Sequence, residues 1–136
     1  MKIQLVTLLL LSFNSSSLFS QSDSISFSTY YDSDKYKLLN SDQAELDLFF
    51  EKIELKRIEK IILFGHTDSD ASDEYNNELS KNRVDGIYDY LVQKDLKKEV
   101  LEKKYFGEFV PIATNENEFG KGKNRRVEML LSLIHI

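Results

Sequence analysis

The chain has 136 residues, which is the size of a single domain. It contains no cysteine and only two histidines, which excludes a disulfide framework, a cysteine nucleophile and a zinc site built on cysteine. The net charge of −5 argues against nucleic acid as a partner, because proteins that bind nucleic acids normally present a basic face.

Residues 1–20 have the pattern of a secretory signal peptide. Lys2 is their only charge, an apolar run covers Ile3 to Phe13, and a serine-rich stretch follows. The apolar run is shorter than the about 20 residues that a membrane-spanning helix needs. We therefore expect export with cleavage near Ser20, and an uncleaved N-terminal anchor is the alternative. The mature domain is expected over residues 21–136, with no transmembrane segment.

Strand and helix patterns alternate along the rest of the chain. In chain order the sequence predicts a strand over residues 24–31, a helix from a capping box at Asp42 to about Lys56, a strand over residues 58–64, a helix capped by Ser72, a strand over residues 100–106, a loop over residues 111–123 and a final strand that begins near Asn124.

The order of these elements predicts an α+β sandwich with helices on one face of a mixed sheet. Each of the two strand–helix–strand crossovers predicts a right-handed parallel pair. The final strand has no helical crossover and is expected to pair antiparallel. The apolar residues 131–136 are either the buried end of that strand or a non-native end.

The loop from His66 to Glu74 is the densest polar cluster, and Arg83 follows it on the second predicted helix. A carboxylate such as Asp68 binds an ammonium group, and a guanidinium binds a carboxylate through two parallel hydrogen bonds. Together the two side chains can grip a zwitterion. The alternative is that Asp68 and Arg83 pair with each other or cap the helix, since most surface charge pairs contribute little.

The same loop does not match a calcium site or a catalytic centre. An EF-hand frame that starts at Asp68 places Asp73 where glycine is needed and Leu79 where a bidentate glutamate is needed. No nucleophile motif such as G-x-S-x-G accompanies His66, which we interpret as a structural histidine with satisfied ring nitrogens at a strand end. We predict no metal, no cofactor and no enzyme activity.

Several separated motifs occur in a familiar order. They are Phe64-Gly65-His66-Thr67-Asp68, Tyr75-Asn76, Leu79-Ser80 with Arg83, Gly107-Glu108, Pro111-Ile112-Ala113 and Asn124-Arg125-Arg126-Val127-Glu128. Together they resemble the OmpA-like C-terminal domain, the peptidoglycan-associating module of diderm bacteria, well over residues 58–130 and loosely over residues 25–57. The resemblance implies a βαβαββ fold. It also implies non-catalytic binding of peptidoglycan through the diaminopimelate of the stem peptide, as a tether to the cell wall in the periplasm or at the periplasmic face of the outer membrane.

The resemblance also implies roles for five residues. Asp68 matches the acid that binds the ligand ammonium, and Arg83 matches the arginine that holds the ligand carboxylate. Asn76 matches a supporting polar residue, and Arg125 matches an arginine that lines the same pocket. Asp32 fits the position of a further acid.

Three positions depart from the family pattern. Asp70 stands where a small hydroxyl residue is common, Ala71 stands where glycine is common, and Val84 replaces a frequent small residue. Asp70 and Ala71 favour an alternative function, in which the domain is a structural or adaptor subunit of an envelope complex and binds a protein partner instead of peptidoglycan.

Overall fold

The computed structural model describes residues 8–9 and 22–135. The predicted signal peptide therefore lies outside the described residues, except for Leu8–Leu9. Among the helices described in these ranges, none has both the length and the apolar character needed to cross a membrane.

Five strands and three helices make up the described chain. The strands are β1 (Leu8–Leu9), β2 (Ser22–Tyr30), β3 (Ile58–Gly65), β4 (Leu101–Tyr105) and β5 (Arg126–Ile134), and the helices are α1 (Asn40–Glu51), α2 (Asp73–Gln93) and α3 (Glu118–Asn124). Single 3-10 turns at Leu55–Arg57 and Lys98–Val100 lead into β3 and β4.

The strands form one mixed sheet in the order β1-β2-β5-β3-β4. β5 pairs antiparallel with both β2 and β3, and β3 pairs parallel with β4. The predictions of an antiparallel final strand and of a parallel pair across α2 are confirmed. The prediction of a parallel pair across α1 is wrong, because β5 lies between β2 and β3. The crossover rule fixes the handedness of a connection but does not require its two strands to be neighbours.

The core lies between the helices and one face of the sheet. β5 contributes alternate residues, Val127, Met129, Leu131 and Leu133, and α1 contributes Leu46. α2 adds Val84, Ile87 and Leu91. Burying each such side chain stabilises the fold by roughly 1.5–3 kcal/mol. Leu131 and Leu133 belong to the core, whereas Ile134, at the end of β5, is exposed, so the buried part of this apolar run ends at Leu133.

Three local predictions need correction. Asp42 is not the residue that precedes α1, because the helix begins at Asn40 and Asp42 lies in its first turn, where it accepts a hydrogen bond from the Leu39 N–H (3.1 Å). The same helix ends at Glu51 rather than near Lys56. The predicted loop over residues 111–123 contains most of α3, whose first turn is capped by the Asn117 side chain accepting from the Gly120 N–H (2.8 Å).

Gly65 allows α2 to approach β3 unusually closely. A Cβ atom at this position would lie 2.5 Å from the Ser80 carbonyl oxygen and 2.6 Å from a methyl group of Val84. Gly86, in the middle of α2, is different, because the nearest atom to an added Cβ there would be the Tyr36 carbonyl oxygen at 3.7 Å. Only the first glycine is therefore required by packing.

These two glycines make a matched pair for a stability test. We expect Gly65→Ala to lower the free energy of unfolding by about 1–3 kcal/mol or more, because the added methyl group forces α2 away from the sheet. We expect Gly86→Ala to raise it by about 1 kcal/mol, because alanine is the better helix former. Urea unfolding of both variants measures the two effects, and destabilisation of equal size would contradict the packing argument.

Candidate functional site

One end of the sheet brings the predicted site residues together. The carboxyl ends of β2, β3 and β4 and the amino end of β5 meet there, because Tyr30 pairs with Arg126 and Gly65 pairs with both Val127 and Tyr105. The chain remains beside β5 just after the end of β3, because the His66 N–H donates a hydrogen bond to the Arg126 carbonyl (2.9 Å). We call this region the site end.

The segment after β3 positions Asp68. The Thr67 N–H donates to the Gly107 carbonyl (2.8 Å), which fixes the backbone just before the acid. The Asp70 N–H donates to Asp68 Oδ1 (3.1 Å), and the side-chain amide of Asn76 donates to the Asp68 carbonyl (3.3 Å). Asp68 is almost fully buried, and Asn76, in the first turn of α2, fixes its backbone through this hydrogen bond.

Asp68 forms its ion pair with Arg125. Arg125 Nη1 lies 3.3 Å from Asp68 Oδ2 and 2.9 Å from a carboxylate oxygen of Glu118, while Arg125 Nε donates to the Tyr31 carbonyl (2.9 Å). The structure thus brings Arg125, for which the resemblance implied a place in the pocket, beside Asp68. The alternative in which Asp68 pairs with Arg83 is wrong.

Arg83 lies below the surface of the site end. Its exposed fraction is 0%, and it donates three hydrogen bonds to backbone carbonyls, from Nε to Lys35 (2.7 Å), from Nη1 to His66 (2.9 Å) and from Nη2 to Asp32 (3.3 Å). Its guanidinium carbon also lies 4.9 Å from the ring centre of Tyr31. Burial lowers the pKa of Arg83 to about 10, so the side chain still carries its charge at neutral pH.

Asp32 contributes to the site end differently from the prediction. Its carboxylate is exposed, and it is the backbone carbonyl of Asp32 that Arg83 contacts. The loop that follows β2, residues 32–36, therefore covers the guanidinium of Arg83. Asp34 in this loop has a left-handed backbone conformation (φ 60°), and its carboxylate accepts a hydrogen bond from the Tyr75 hydroxyl at the start of α2.

An open cleft of about 330 Å³ lies at the site end, and we call it the Asp68 cleft. Its lining residues are Ser33, Asp34, Asp68, Asp70, Ala71, Tyr75, Asn76 and Leu79. Three carboxylates line this cleft and no cation does. Two cations outside this lining offset part of its negative charge. Lys121 Nζ lies 2.9 Å from a carboxylate oxygen of Asp70, and Arg125 pairs with Asp68. The Asp68 cleft therefore favours a ligand with a positive group.

Asn124 and Arg126 hold the loop that follows β4. The Asn124 side chain accepts from the N–H groups of Ile112 (2.9 Å) and Ala113 (3.1 Å). Arg126 donates to the Val110 carbonyl (3.2 Å) and to Glu128 (2.7 Å). These neighbours of Arg125 are buried and act in the structure of the site end rather than in the cleft.

Sequence reasoning missed four residues of the site end. Asp34 and Lys121 act through contacts with distant segments, for which no spacing in the sequence gives a signal, and Tyr75 lay in the Tyr75-Asn76 motif without an assigned role. Glu108 accepts from the Asn76 side chain (3.3 Å), and burial, with the neighbouring Asp73, raises the pKa of Glu108. The Gly107-Glu108 motif was visible in the sequence, but its role was not. Within the described ranges, no three His, Asp or Glu side chains converge on a position that would hold a metal ion.

Comparison with known proteins identifies related sequences. The OmpA family matches residues 30–125 of this chain. Outer membrane protein A of Bordetella avium is 34% identical over 101 residues, which cover 74% of this chain and 52% of that protein. A peptidoglycan-associated lipoprotein of Pseudomonas aeruginosa is 35% identical over 71 residues, which cover 52% of this chain and 42% of that protein. The chain thus spans about half the length of these relatives, or less.

A solved structure agrees with the fold. The peptidoglycan-associated lipoprotein from Burkholderia pseudomallei superposes with a TM-score of 0.68 at 26% identity, and the match covers 76% of this chain and 88% of that chain. The predicted OmpA-like α+β fold is therefore confirmed.

His66 is buried at the site end, with 2% of its surface exposed. Its ring stacks on Phe106 at 5.5 Å between ring centres, and Nε2 lies 4.0 Å from a carboxylate oxygen of Glu128. Neither ring nitrogen has a hydrogen-bond partner among the described residues, so the prediction of satisfied ring nitrogens is wrong. Burial, followed by the charge of Arg126, lowers the pKa of His66 to about 4.

The lowered pKa of His66 predicts that the protein loses stability in mild acid. The pKa is near 6.5 in an unfolded chain and about 4 in the folded one, so the unfolded state binds the proton more readily between these values. The free energy of unfolding should be highest above pH 6.5 and fall by up to about 3 kcal/mol as the pH drops to 4. We expect His66→Phe, which keeps a ring against Phe106, to remove this decrease in urea unfolding at pH 4.5 and 7.5. The same pH dependence in both proteins would contradict the assignment.

Proposed function

This chain belongs to the OmpA family, and from that premise we propose that it binds peptidoglycan, without catalysis, in the bacterial cell envelope. The names of its relatives, an outer membrane protein and a peptidoglycan-associated lipoprotein, support this assignment. We further propose that the chain is exported and works in the periplasm or at the periplasmic face of the outer membrane. Its role there would be that of a tether to the cell wall.

The observation that carries the proposal is the Asp68 cleft with a buried arginine beneath its rim. The side chain of diaminopimelate ends in an ammonium and a carboxylate on one carbon atom. The ammonium would enter among the carboxylates of Asp34, Asp68 and Asp70, where each charge-assisted hydrogen bond is worth about 1.5–3 kcal/mol. The cleft thus supports a ligand of this class.

Binding of the ligand carboxylate requires a second step, in which Arg83 becomes accessible. Arg83 has five N–H groups, of which three donate to backbone carbonyls, so two remain for a ligand. The whole side chain is buried in the structure, and two of its three carbonyl partners, Asp32 and Lys35, belong to the loop of residues 32–36. We propose that the loop moves aside when the ligand binds and that the ligand carboxylate then contacts Arg83. The hydrogen bond between Tyr75 and Asp34 holds the loop in its closed position.

A protein partner is the second candidate function. Phe109, Ile112 and Phe119 are large apolar side chains of the segment between β4 and β5, and all three are exposed. Exposed apolar side chains of this size favour contact with another protein when they form a patch. An adaptor of this type would bind its partner without any dependence on Asp68.

Replacing the acid at the centre of the cleft tests the main proposal. Asp68→Asn keeps the shape of the side chain but removes its charge, so the affinity for diaminopimelate should fall at least about tenfold, the equivalent of 1.4 kcal/mol. Isothermal titration with meso-diaminopimelate and co-sedimentation with purified sacculi measure the effect. Asp89→Asn, at an exposed acid of α2 that does not line the cleft, should bind as the wild type does. Unchanged sedimentation of Asp68→Asn would contradict the mechanism.

Releasing the loop tests the second step. Tyr75→Phe removes the hydrogen bond to Asp34, so opening the loop costs less and the affinity for diaminopimelate should rise about threefold. Tyr88→Phe, on the same helix away from the loop, is the matched control. A lower affinity for Tyr75→Phe would mean that the hydroxyl contacts the ligand itself, and the loop-opening step would then be wrong.

A further inference from the structure

The two sides of the sheet differ in how well they are protected against pairing with another chain. β4, at one edge, has five residues and carries the exposed Lys103 and Lys104. Short strands and lysines are devices by which natural sheets prevent such pairing at their edges. β2, near the other edge, has nine residues without lysine or proline, and they pair with nine consecutive residues of β5 without a bulge. β2 therefore has a long and regular outer side that lacks these protections.

The outer side of β2 is occupied by a segment of the chain itself. β1 pairs antiparallel with β2, with Leu8 opposite Ile25 and Leu9 opposite Ser24. β1 belongs to residues 1–20, which the export proposed above would remove by cleavage near Ser20. Backbone groups of β2 that pair with β1 then lose their partners, and an unpaired strand edge is a ready template for another strand.

The hydrogen bonding at the end of β2 shows which of its residues face this outer side. The Tyr31 N–H, just after β2, donates to the Arg125 carbonyl (2.9 Å). In an antiparallel pair alternate residues bond to the same neighbour, so Phe27 and Ile25 also bond to β5. The backbone N–H and C=O groups of the residues between them point outward. Ser26, the middle residue of the nine, is one of these.

We propose that, once β1 has been removed, β2 pairs with β2 of a second copy of this chain, antiparallel and about a two-fold axis at Ser26. This register pairs the whole strand. It places Ile25 opposite Phe27 of the second copy, so that two apolar side chains meet on the core face of the sheet. Ser24 lies opposite Ser28 of the second copy on the other face.

The outer side of β2 is thus complementary to itself, as an interface about a two-fold axis requires. Each copy contributes the same row of backbone donors and acceptors, and no charged side chain lies opposite one of like sign. The remaining edge of each copy is β4, with its exposed Lys103 and Lys104. Because that edge resists pairing, the assembly stops at two chains.

The dimer has a consequence for binding, and this consequence rests on the proposed function. β2 runs towards the site end, where Tyr30 pairs with Arg126. Two antiparallel copies of β2 therefore place the two Asp68 clefts at opposite ends of one continuous sheet. A dimer of this kind binds two stem peptides at once, and its avidity for sacculi exceeds that of one chain without any new contact to the ligand.

The oligomeric state of the exported protein tests the interface. The full chain is expressed with export in a diderm host and purified from the periplasm, and mass spectrometry identifies its first residue. Sedimentation equilibrium then measures the dissociation constant of the dimer. Ser26→Lys and Ser26→Glu each place two like charges opposite one another, so each should raise this constant at least about fivefold. Asp89→Lys, at an exposed position of α2, should dimerise as the wild type does.

A mixture of the two Ser26 variants guards against an effect on folding. Lysine then lies opposite glutamate, so the mixture should associate about as tightly as the wild type. Failure of the mixture to associate, or a dimer that Ser26→Lys leaves unchanged, would overturn the inference. A processed wild type that is monomeric at millimolar concentration would also overturn it. So would a periplasmic chain that retains residues 1–20, because β1 then keeps its place on β2.

Titration with meso-diaminopimelate separates failure of the interface from failure of the proposed function. Ser26 does not line the Asp68 cleft, so Ser26→Lys should bind meso-diaminopimelate as the wild type does and yet co-sediment less with sacculi. A monomeric wild type that binds meso-diaminopimelate would overturn the interface and leave the proposed function standing. A dimer that does not bind it would support the interface and contradict the stem-peptide mechanism.

Discussion

Arg83 is fully buried at the site end, so the charge of its guanidinium must be balanced by partners within the protein. Removing an ion from water costs several kcal/mol unless good partners replace the solvent. Here the partners are the backbone carbonyls of Asp32, Lys35 and His66 and the face of the Tyr31 ring. Since these groups come from the β2 end, the loop after it and the β3 end, one side chain of α2 fixes the relative position of three segments.

Arg125 holds and neutralises the buried carboxylate of Asp68, just as the backbone carbonyls hold the guanidinium of Arg83. It connects Asp68 with Glu118 and with the carbonyl of Tyr31, and the Asp70 N–H holds the other oxygen of Asp68. The carboxylate is therefore oriented before any ligand arrives, so that little conformational freedom is lost on binding. Buried cations and carboxylates at the site end form one network, in which the position of each depends on the others.

The parts of this site that could be predicted from the sequence are those encoded locally. Asp68 follows a recognisable strand, and Asn76 lies one turn after a recognisable helix cap at Ser72, whose hydroxyl accepts from the Tyr75 N–H (3.2 Å). The cover over Arg83 could not be predicted, because it consists of backbone carbonyls, which every residue has. Its course also depends on the left-handed conformation of Asp34. The insertion of β5 between β2 and β3 was equally hidden, since neighbours in a sheet are chosen by tertiary packing.

The central place of β5 has a consequence for how the protein reaches its native state. β5 is the last of the five strands to leave the ribosome, yet it forms the ladders that join β2 to β3. Until residues 126–134 have been synthesised, the edges of β2 and β3 have no neighbour between them, and the carbonyl of Tyr31 lacks its contact with Arg125. Contacts between segments so distant in the chain form slowly, because a long loop must close first. The nascent polypeptide therefore stays incompletely folded through most of translation, in a state that can still be passed through a narrow channel.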